Sequence, residues 1–187
     1  ILHNSLEKIK HMITKEEYLQ AKESLQEGKI TQDVFLLIEQ KYEQDKQRKN
    51  KITSEEWSKD DALQKRVKNA ETVVYKAVFP GDTNHHNTMF GGTVLSYMDE
   101  VAFLTATRFS RKPIVTVSSD KINFEHSIPS GTIVKVVGKV AEIGRTSMKV
   151  FIEVFIESMY REGSELAITG TFTLVAINEN KRPVAII

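Results

Sequence analysis

The stretch from Phe79 to Ser110 constrains the fold most: a polar loop runs into two adjacent glycines and then into a long apolar segment. Pro80-Gly81-Asp82 marks a turn near its start, and Gly91-Gly92 stands just before the apolar segment. From Thr93 to Phe109 there is no Pro or Gly, and Val94, Leu95, Met98, Val101, Ala102 and Thr105 recur at helical spacing. Tyr97, Phe103 and Leu104 widen that stripe almost all round, which predicts a buried helix. Asp99 and Glu100 fall in its middle, and carboxylates in a buried helix are costly unless paired, hydrogen-bonded or functional. Paired glycines before a helix let a ligand approach the backbone, and the free N–H groups of a first turn attract negative charge. Asp99 lies seven residues past Gly92, ~10 Å along a helix axis, within reach of a group docked at the helix start if the loop folds back. Two readings stay open on these residues: a ligand site, or a softened loop followed by a capped or salt-bridged core acid.

The length of 187 residues suits one domain with an extension, or two small domains. The absence of cysteine excludes disulfides, thiolate zinc sites and a cysteine nucleophile. No apolar run approaches the ~18–20 residues of a membrane span and no signal-peptide pattern opens the chain, so a soluble cytoplasmic protein is expected. Residues 1–70 hold 14 Lys+Arg against 13 Asp+Glu, and residues 71–187 hold 12 of each. Neither part has the basic excess of a nucleic-acid binder, so neither nucleic acid nor membrane is expected as a partner.

Residues 1–70 read as helical and solvated. Thr14-Lys15-Glu16-Glu17 has the capping-box pattern and predicts a helix that stops at Gly28. Thr31 is expected to cap the next, with Val34, Leu37, Ile38 and Tyr42 on one face, before an almost wholly polar run from Lys41 to Lys51. Thr53-Ser54-Glu55-Glu56 predicts a further helix through Trp57, Leu63 and Val67. Three short helices raise the possibility of a helix-turn-helix reader, but balanced charge favours a packing or oligomerisation appendage. His3 and His11 have no metal-ligand spacing.

From Glu71 onward the chain is β-rich. Expected strands are Thr72–Phe79, Pro113–Phe124, Thr132–Ile143, Met148–Ile156 and one carrying Leu166, Ile168, Phe172 and Leu174 on a single face. Pro129-Ser130-Gly131 and Arg161-Glu162-Gly163 supply turns, and short links between the last three strands predict antiparallel pairing. Gly138 and Gly170 fall inside strands, where a missing side chain suits close packing or a bend. One strand, a long apolar helix and four more strands make an α+β layer with the sheet wrapped on the helix.

That order resembles the hotdog fold. Pro80-Gly81-Asp82-Thr83-Asn84, Phe90-Gly91-Gly92, Met98-Asp99-Glu100, Phe124 with Gly131, Gly144-Arg145-Thr146-Ser147-Met148, and Phe172 through Val175-Ala176 are similar to the acyl-CoA hydrolase branch. The resemblance covers roughly residues 71–180, setting a 1–70 helical extension against a 71–187 thioesterase domain. It implies hydrolysis of acyl-CoA to fatty acid and CoA, with CoA present only as part of substrate or product, no other cofactor and no metal. The active-site asparagine of the family falls on Asn84 and its catalytic carboxylate on Asp99, facing each other across a dimer interface. Asp99 would serve as general base or nucleophile, Asn84 would orient water or carbonyl, and the Gly91 and Gly92 N–H groups would hold the oxyanion. Arg145, Thr146 and Ser147 lie where the family approaches CoA, and Arg145 suits a phosphate contact or simply a solvated turn. Glu100 is expected to support the helix or interface, His85 and His86 to serve as rim or loop residues, and His126 to line the cleft. A homodimer, assembled as a trimer of dimers, is implied.

Two rivals differ in class. Hotdog effector domains also occur behind helix-turn-helix segments in acyl-CoA-sensing transcriptional regulators, a reading that gains from the helical extension and loses from its near-neutral charge. A hotdog dehydratase would need a catalytic histidine beside its acid, and the central helix has none.

Overall fold

The computed structural model describes residues 13–49, 51–52 and 60–187. The chain divides into two compact units, residues 1–51 and 52–187.

In the first unit, α1 (Lys15–Gln26) and α2 (Gln32–Lys49) form a helical pair. Thr14 caps α1 with both halves of the capping box, its hydroxyl accepting from Glu17 N–H and Glu17 Oε2 accepting from Thr14 N–H. Gly28 follows the helix in the left-handed region, at φ 71°. On α2 the inward face is carried by Phe35 rather than Leu37. Phe35 is buried and packs with Tyr18, which in turn stacks on Tyr42, whereas Leu37 is 52% exposed. Ile13 N–H donates to the buried carboxylate of Asp45, which also takes Lys41 Nζ.

The second unit begins with α3 (Asp61–Ala70), whose N-terminus is capped by Asp60 accepting from Ala62 and Leu63 N–H. The capping-box sequence Thr53–Glu56 and Trp57 lie outside the described residues, and the helix through Leu63 and Val67 starts at Asp61. Then follow β1 (Thr72–Ala77), a 3-10 turn at Pro80–Asp82, α4 (Gly91–Ser110), β2 (Ile114–Ser119), β3 (Asn123–Phe124), β4 (Thr132–Gly144), β5 (Ser147–Ser158) and β6 (Ser164–Ala176). Among these strands the order is β1-β4-β5-β6, with β2 and β3 both on the outer edge of β6 and every pair antiparallel. The expected strand Pro113–Phe124 is thus two pieces, broken where Asp120 N–H turns to Thr171 O.

The sheet curls around α4 and buries Val94, Met98, Val101, Ala102, Ala106 and Phe109 against alternating residues of β4, β5 and β6. Gly138 and Gly170 let the helix come close. A Cβ on Gly138 would lie 2.5 Å from Thr105 Oγ1 and 2.9 Å from Val101 Cγ1, and one on Gly170 would overlap the end of Ile122. On β6 the expected alternation slips by one at Ala167, which is bulged between Leu166 and Ile168 and buried in Leu166's stead. The Ala167 carbonyl consequently receives both Glu125 and His126 N–H, at 2.9 and 3.1 Å.

Although α3 falls within the expected 1–70 extension, it packs in the second unit and is tied to α4 by reciprocal arginines. Arg66 donates to Phe109 O (2.7 Å) and Ser110 O (3.2 Å) at the end of α4, with its guanidinium over the Phe109 ring. Arg108 of α4 donates to Asn69 O and Glu71 O (both 2.7 Å) at the end of α3. Each helix C-terminus thus receives a cation from the other, as orphan carbonyls and the helix dipole favour. Removal of residues 1–51 is therefore expected to leave the second unit folded. Removal through Lys68 should cost about 3 kcal/mol, by stripping Arg66 and uncovering the Leu63–Val67 contact. Urea melts of the two truncations check this; equal midpoints would refute it.

Candidate active site

The loop ahead of α4 is built by its own polar side chains. Phe79 N–H donates to Asp82 Oδ2, Thr83 bridges to Met89, and Asn84 N–H donates to Thr88 O at 2.8 Å. Asn87 takes the left-handed conformation at the tip, φ 57°, which asparagine tolerates better than most residues. Inside the loop, Asn84 Oδ1 accepts from His86 N–H (2.8 Å), Thr88 Oγ1 (3.2 Å) and Thr88 N–H (3.4 Å). Backbone donors fix which way this amide points: Oδ1 is turned into the loop, and the Nδ2 hydrogens remain for another acceptor. The loop is moored to the core by Met89 N–H on Ile128 O and Ser130 N–H on Asn87 O.

Helix α4 starts at Gly91 after Phe90, which provides no side-chain cap, and its first turn holds no acid. Its leading N–H groups are therefore available to a ligand. Gly91 lines a cavity of about 300 Å³ with Met89, Val94, Phe124, His126 and Ile168. The ring of Phe124 lies over Gly91, 3.6 Å from where a Cβ would stand, and the space beside Gly92 is open. His126 does line this cavity and pairs with Glu165 at 3.4 Å. The rings of His85 and His86 lie 3.8 Å apart and exposed, and among the described residues no group of three or more side chains could hold a metal.

Asp99 corrects one expectation. It is exposed, as are Leu95, Glu100 and Phe103, on the side of α4 that is not buried against β4, β5 and β6. It is hydrogen-bonded all the same: Thr116 Oγ1 on β2 donates to Asp99 Oδ1 at 2.8 Å. No motif singles out Thr116. Only the α4–β2 packing brings it to Asp99. Among the described residues no hydrogen bond joins Asn84 to Asp99 within one chain. Arg145, Thr146 and Ser147 form the hairpin between β4 and β5, at the far end of β4 from the Asn84 loop, with Arg145 exposed and its carbonyl accepting from Ile186 N–H.

The family model of the Thioesterase superfamily matches residues 86–162, from the Asn84 loop through the hairpin that follows β5. An uncharacterized acyl-CoA thioester hydrolase of Bacillus subtilis is 39% identical over 119 residues, which are 64% of this chain and 69% of that protein. Among solved structures, the acyl-CoA hydrolase of Staphylococcus aureus in complex with butyryl-CoA and CoA superposes with a TM-score of 0.62 at 34% identity, covering 64% of this chain and 73% of that one. Alanine variants of that enzyme at one aspartate, one threonine and one asparagine are similar to the same extent of this chain. An apo-hexameric acyl-CoA thioesterase gives a TM-score of 0.62 at 36% identity, covering 64% and 76%. The chain has the hotdog fold and belongs to the Thioesterase superfamily, within its acyl-CoA thioester hydrolases. Relatives of this class support an enzyme and leave the transcriptional-regulator reading without support.

Proposed function

We propose that this chain hydrolyses acyl-CoA thioesters to carboxylic acid and free CoA at a site completed between two protomers. The observation that carries the arrangement is the outward turn of both polar groups in one chain. Asp99 stands on the uncovered face of α4, and the Asn84 amide donors point out of their loop with no partner among the described residues. A second protomer laid against that face would supply the missing half. Leu95, Phe103, Val115 and Val117, 37–55% exposed around Asp99, are the apolar surface such a contact would cover. Hexameric relatives support a trimer of dimers, and the appendage to the thioesterase domain is the first unit, residues 1–51, rather than residues 1–70.

In this reading Asp99 draws a proton from water as the water attacks the thioester carbonyl. The oxyanion is received by Gly91 and Gly92 N–H and by Asn84 Nδ2–H, and the tetrahedral adduct collapses to expel the CoA thiolate, which regains the proton. Thr116 occupies Oδ1 of Asp99 and so leaves Oδ2 to the water. The asparagine, aspartate and threonine replaced in the Staphylococcus aureus enzyme are separated by fifteen and seventeen positions, the separations of Asn84, Asp99 and Thr116. No cofactor is assigned beyond CoA within the substrate, and since acyl-CoA is an intracellular compound the proposed compartment is the cytoplasm.

Release of free thiol from acyl-CoA by the purified protein tests the activity, and no release above a heat-inactivated control would refute it. Thr116→Val should lower kcat about tenfold with little change in KM, the loss of one hydrogen bond to a charged group, and Thr116→Ser should restore it. Equal kcat for all three proteins would remove Thr116 from the site.

A further inference from the structure

We propose that the cavity beside Gly91 sets the acyl-chain preference of this protein, with affinity growing up to about eight carbons and then stopping; this rests on the acyl-CoA reading above. Gly91 and Val94 stand about one helical turn apart on α4, so the cavity runs inward from the N–H proposed above for the oxyanion, ~5 Å along the axis. Its floor is apolar and closed: Met89, Val94, Ile128 and Ile168 are 1–6% exposed. The backbone fixes these walls. Met89 N–H donates to Ile128 O at 2.8 Å, and Ile168 is paired with Val154 on one side and Phe124 on the other. A recess of this kind takes a hydrocarbon chain and gives a hydroxyl or carboxylate at its end no partner.

The outer side of the cavity is of another kind. Glu125, His126 and Ser127 are exposed, and His126 pairs with Glu165 at 3.4 Å, so the lip is polar and solvated. The Ala167 bulge holds that lip in place, because its carbonyl takes both Glu125 and His126 N–H. Methylenes that outgrow the floor therefore meet water or charge, and only those removed from water add affinity.

Volume gives the length. A methylene is about as large as a water molecule, so a cavity of about 300 Å³ holds about ten such groups at ~30 Å³ each. With the carbonyl end and the open mouth deducted, a chain of about eight carbons fills it.

S-alkyl-CoA thioethers lack the carbonyl and cannot be hydrolysed, so calorimetry with them on the full chain reads the cavity alone. From S-butyl-CoA to S-octyl-CoA, Kd should fall about 10²-fold, each fully buried methylene contributing about fourfold. From S-octyl-CoA to S-dodecyl-CoA it should not fall further, and kcat/KM for the matching acyl-CoAs, kept below micelle formation, should follow the same profile. Val94→Phe fills the floor and should abolish most of the octyl preference. His126→Leu, at an exposed position that leaves the core untouched, makes the lip apolar and should extend the gain to S-dodecyl-CoA by about tenfold. A Kd that keeps falling to S-dodecyl-CoA in the unmodified protein would overturn the proposal, as would equal Kd for the butyl and octyl thioethers or an unchanged stop in His126→Leu. A profile that stops at octyl, in a protein that releases no thiol from octanoyl-CoA, would remove the hydrolase reading and leave the cavity standing. Thiol release with one kcat/KM for every chain length would do the reverse.

Discussion

Asp99→Asn is expected to lower turnover by about 10²–10⁴-fold while the protein stays folded, because it keeps the side-chain shape and removes the base. Thr116 Oγ1 has an acceptor in either residue, so the position of the side chain is retained. Asn84→Ala should cost about 10²-fold, comparable with loss of one oxyanion donor, although it also removes the acceptor that closes the 84–88 loop. Asn84→Asp separates the two effects. It preserves the acceptor for His86 and Thr88 N–H and replaces the outward donor with a charge, so it should be at least as inactive as Asn84→Ala. Subunit exchange tests the shared site. Mixed dimers of Asp99→Asn with Asn84→Ala contain one site with both residues intact and one with neither. Thiol release should recover toward about half the wild-type rate in purified mixed dimers, and toward about a quarter in a 1:1 co-refolded mixture, if each site acts independently. Near-wild-type turnover in Asp99→Asn alone would end its catalytic role. Proven heterodimers without recovery would place both residues in one chain's site.

Gly138→Ala should give the largest loss of stability among single methyl additions, about 3 kcal/mol, read as a fall in Tm of about 10 °C. The new Cβ would meet Thr105 Oγ1 and Val101 Cγ1, short branched side chains close to the helix backbone. Thr105 Oγ1 is additionally fixed on Val101 O at 2.7 Å, so relief requires α4 itself to lift from β4. At Gly170 the obstacles are the ends of Ile122 and Met98, which can swing, and Gly170→Ala should cost about 1 kcal/mol. Thermal melts of the two variants give the order. A Gly170→Ala protein that melts at or below Gly138→Ala would contradict the close helix–sheet contact. Lifting α4 would also shift Asp99 from Thr116, so activity should fall in Gly138→Ala before global unfolding.

Features carried by a single segment were legible in the sequence. The capping box at Thr14, the turn at Gly28 and the alternation of β5 each follow from a period or a local side-chain bond, which neighbouring residues alone enforce, whereas α4 takes Gly91 and Gly92, read as preceding it, into its first turn. The glycines of β4 and β6 were legible as sites of close packing or a bend, and the contacts a Cβ would make decide for close packing.

What needed the tertiary structure was every relation between distant segments. The apolar positions of α4 extend almost all round, so periodicity predicted a buried Asp99, and only packing on one sheet revealed the face left open. Thr116 became Asp99's partner through the α4–β2 contact, and no spacing rule links residues on a helix and a later strand. The Ala167 bulge, which turns the 124–126 segment onto the cavity, leaves no local mark, since one extra residue in a strand is defined only by its partner's register. The reciprocal arginines Arg66 and Arg108 likewise read as ordinary solvated charges until the two helix ends meet. Local sequence sets which conformation a segment prefers through the dihedral and side-chain energies of adjacent residues; which segments then share an edge is decided by the burial of apolar faces that no single segment can complete.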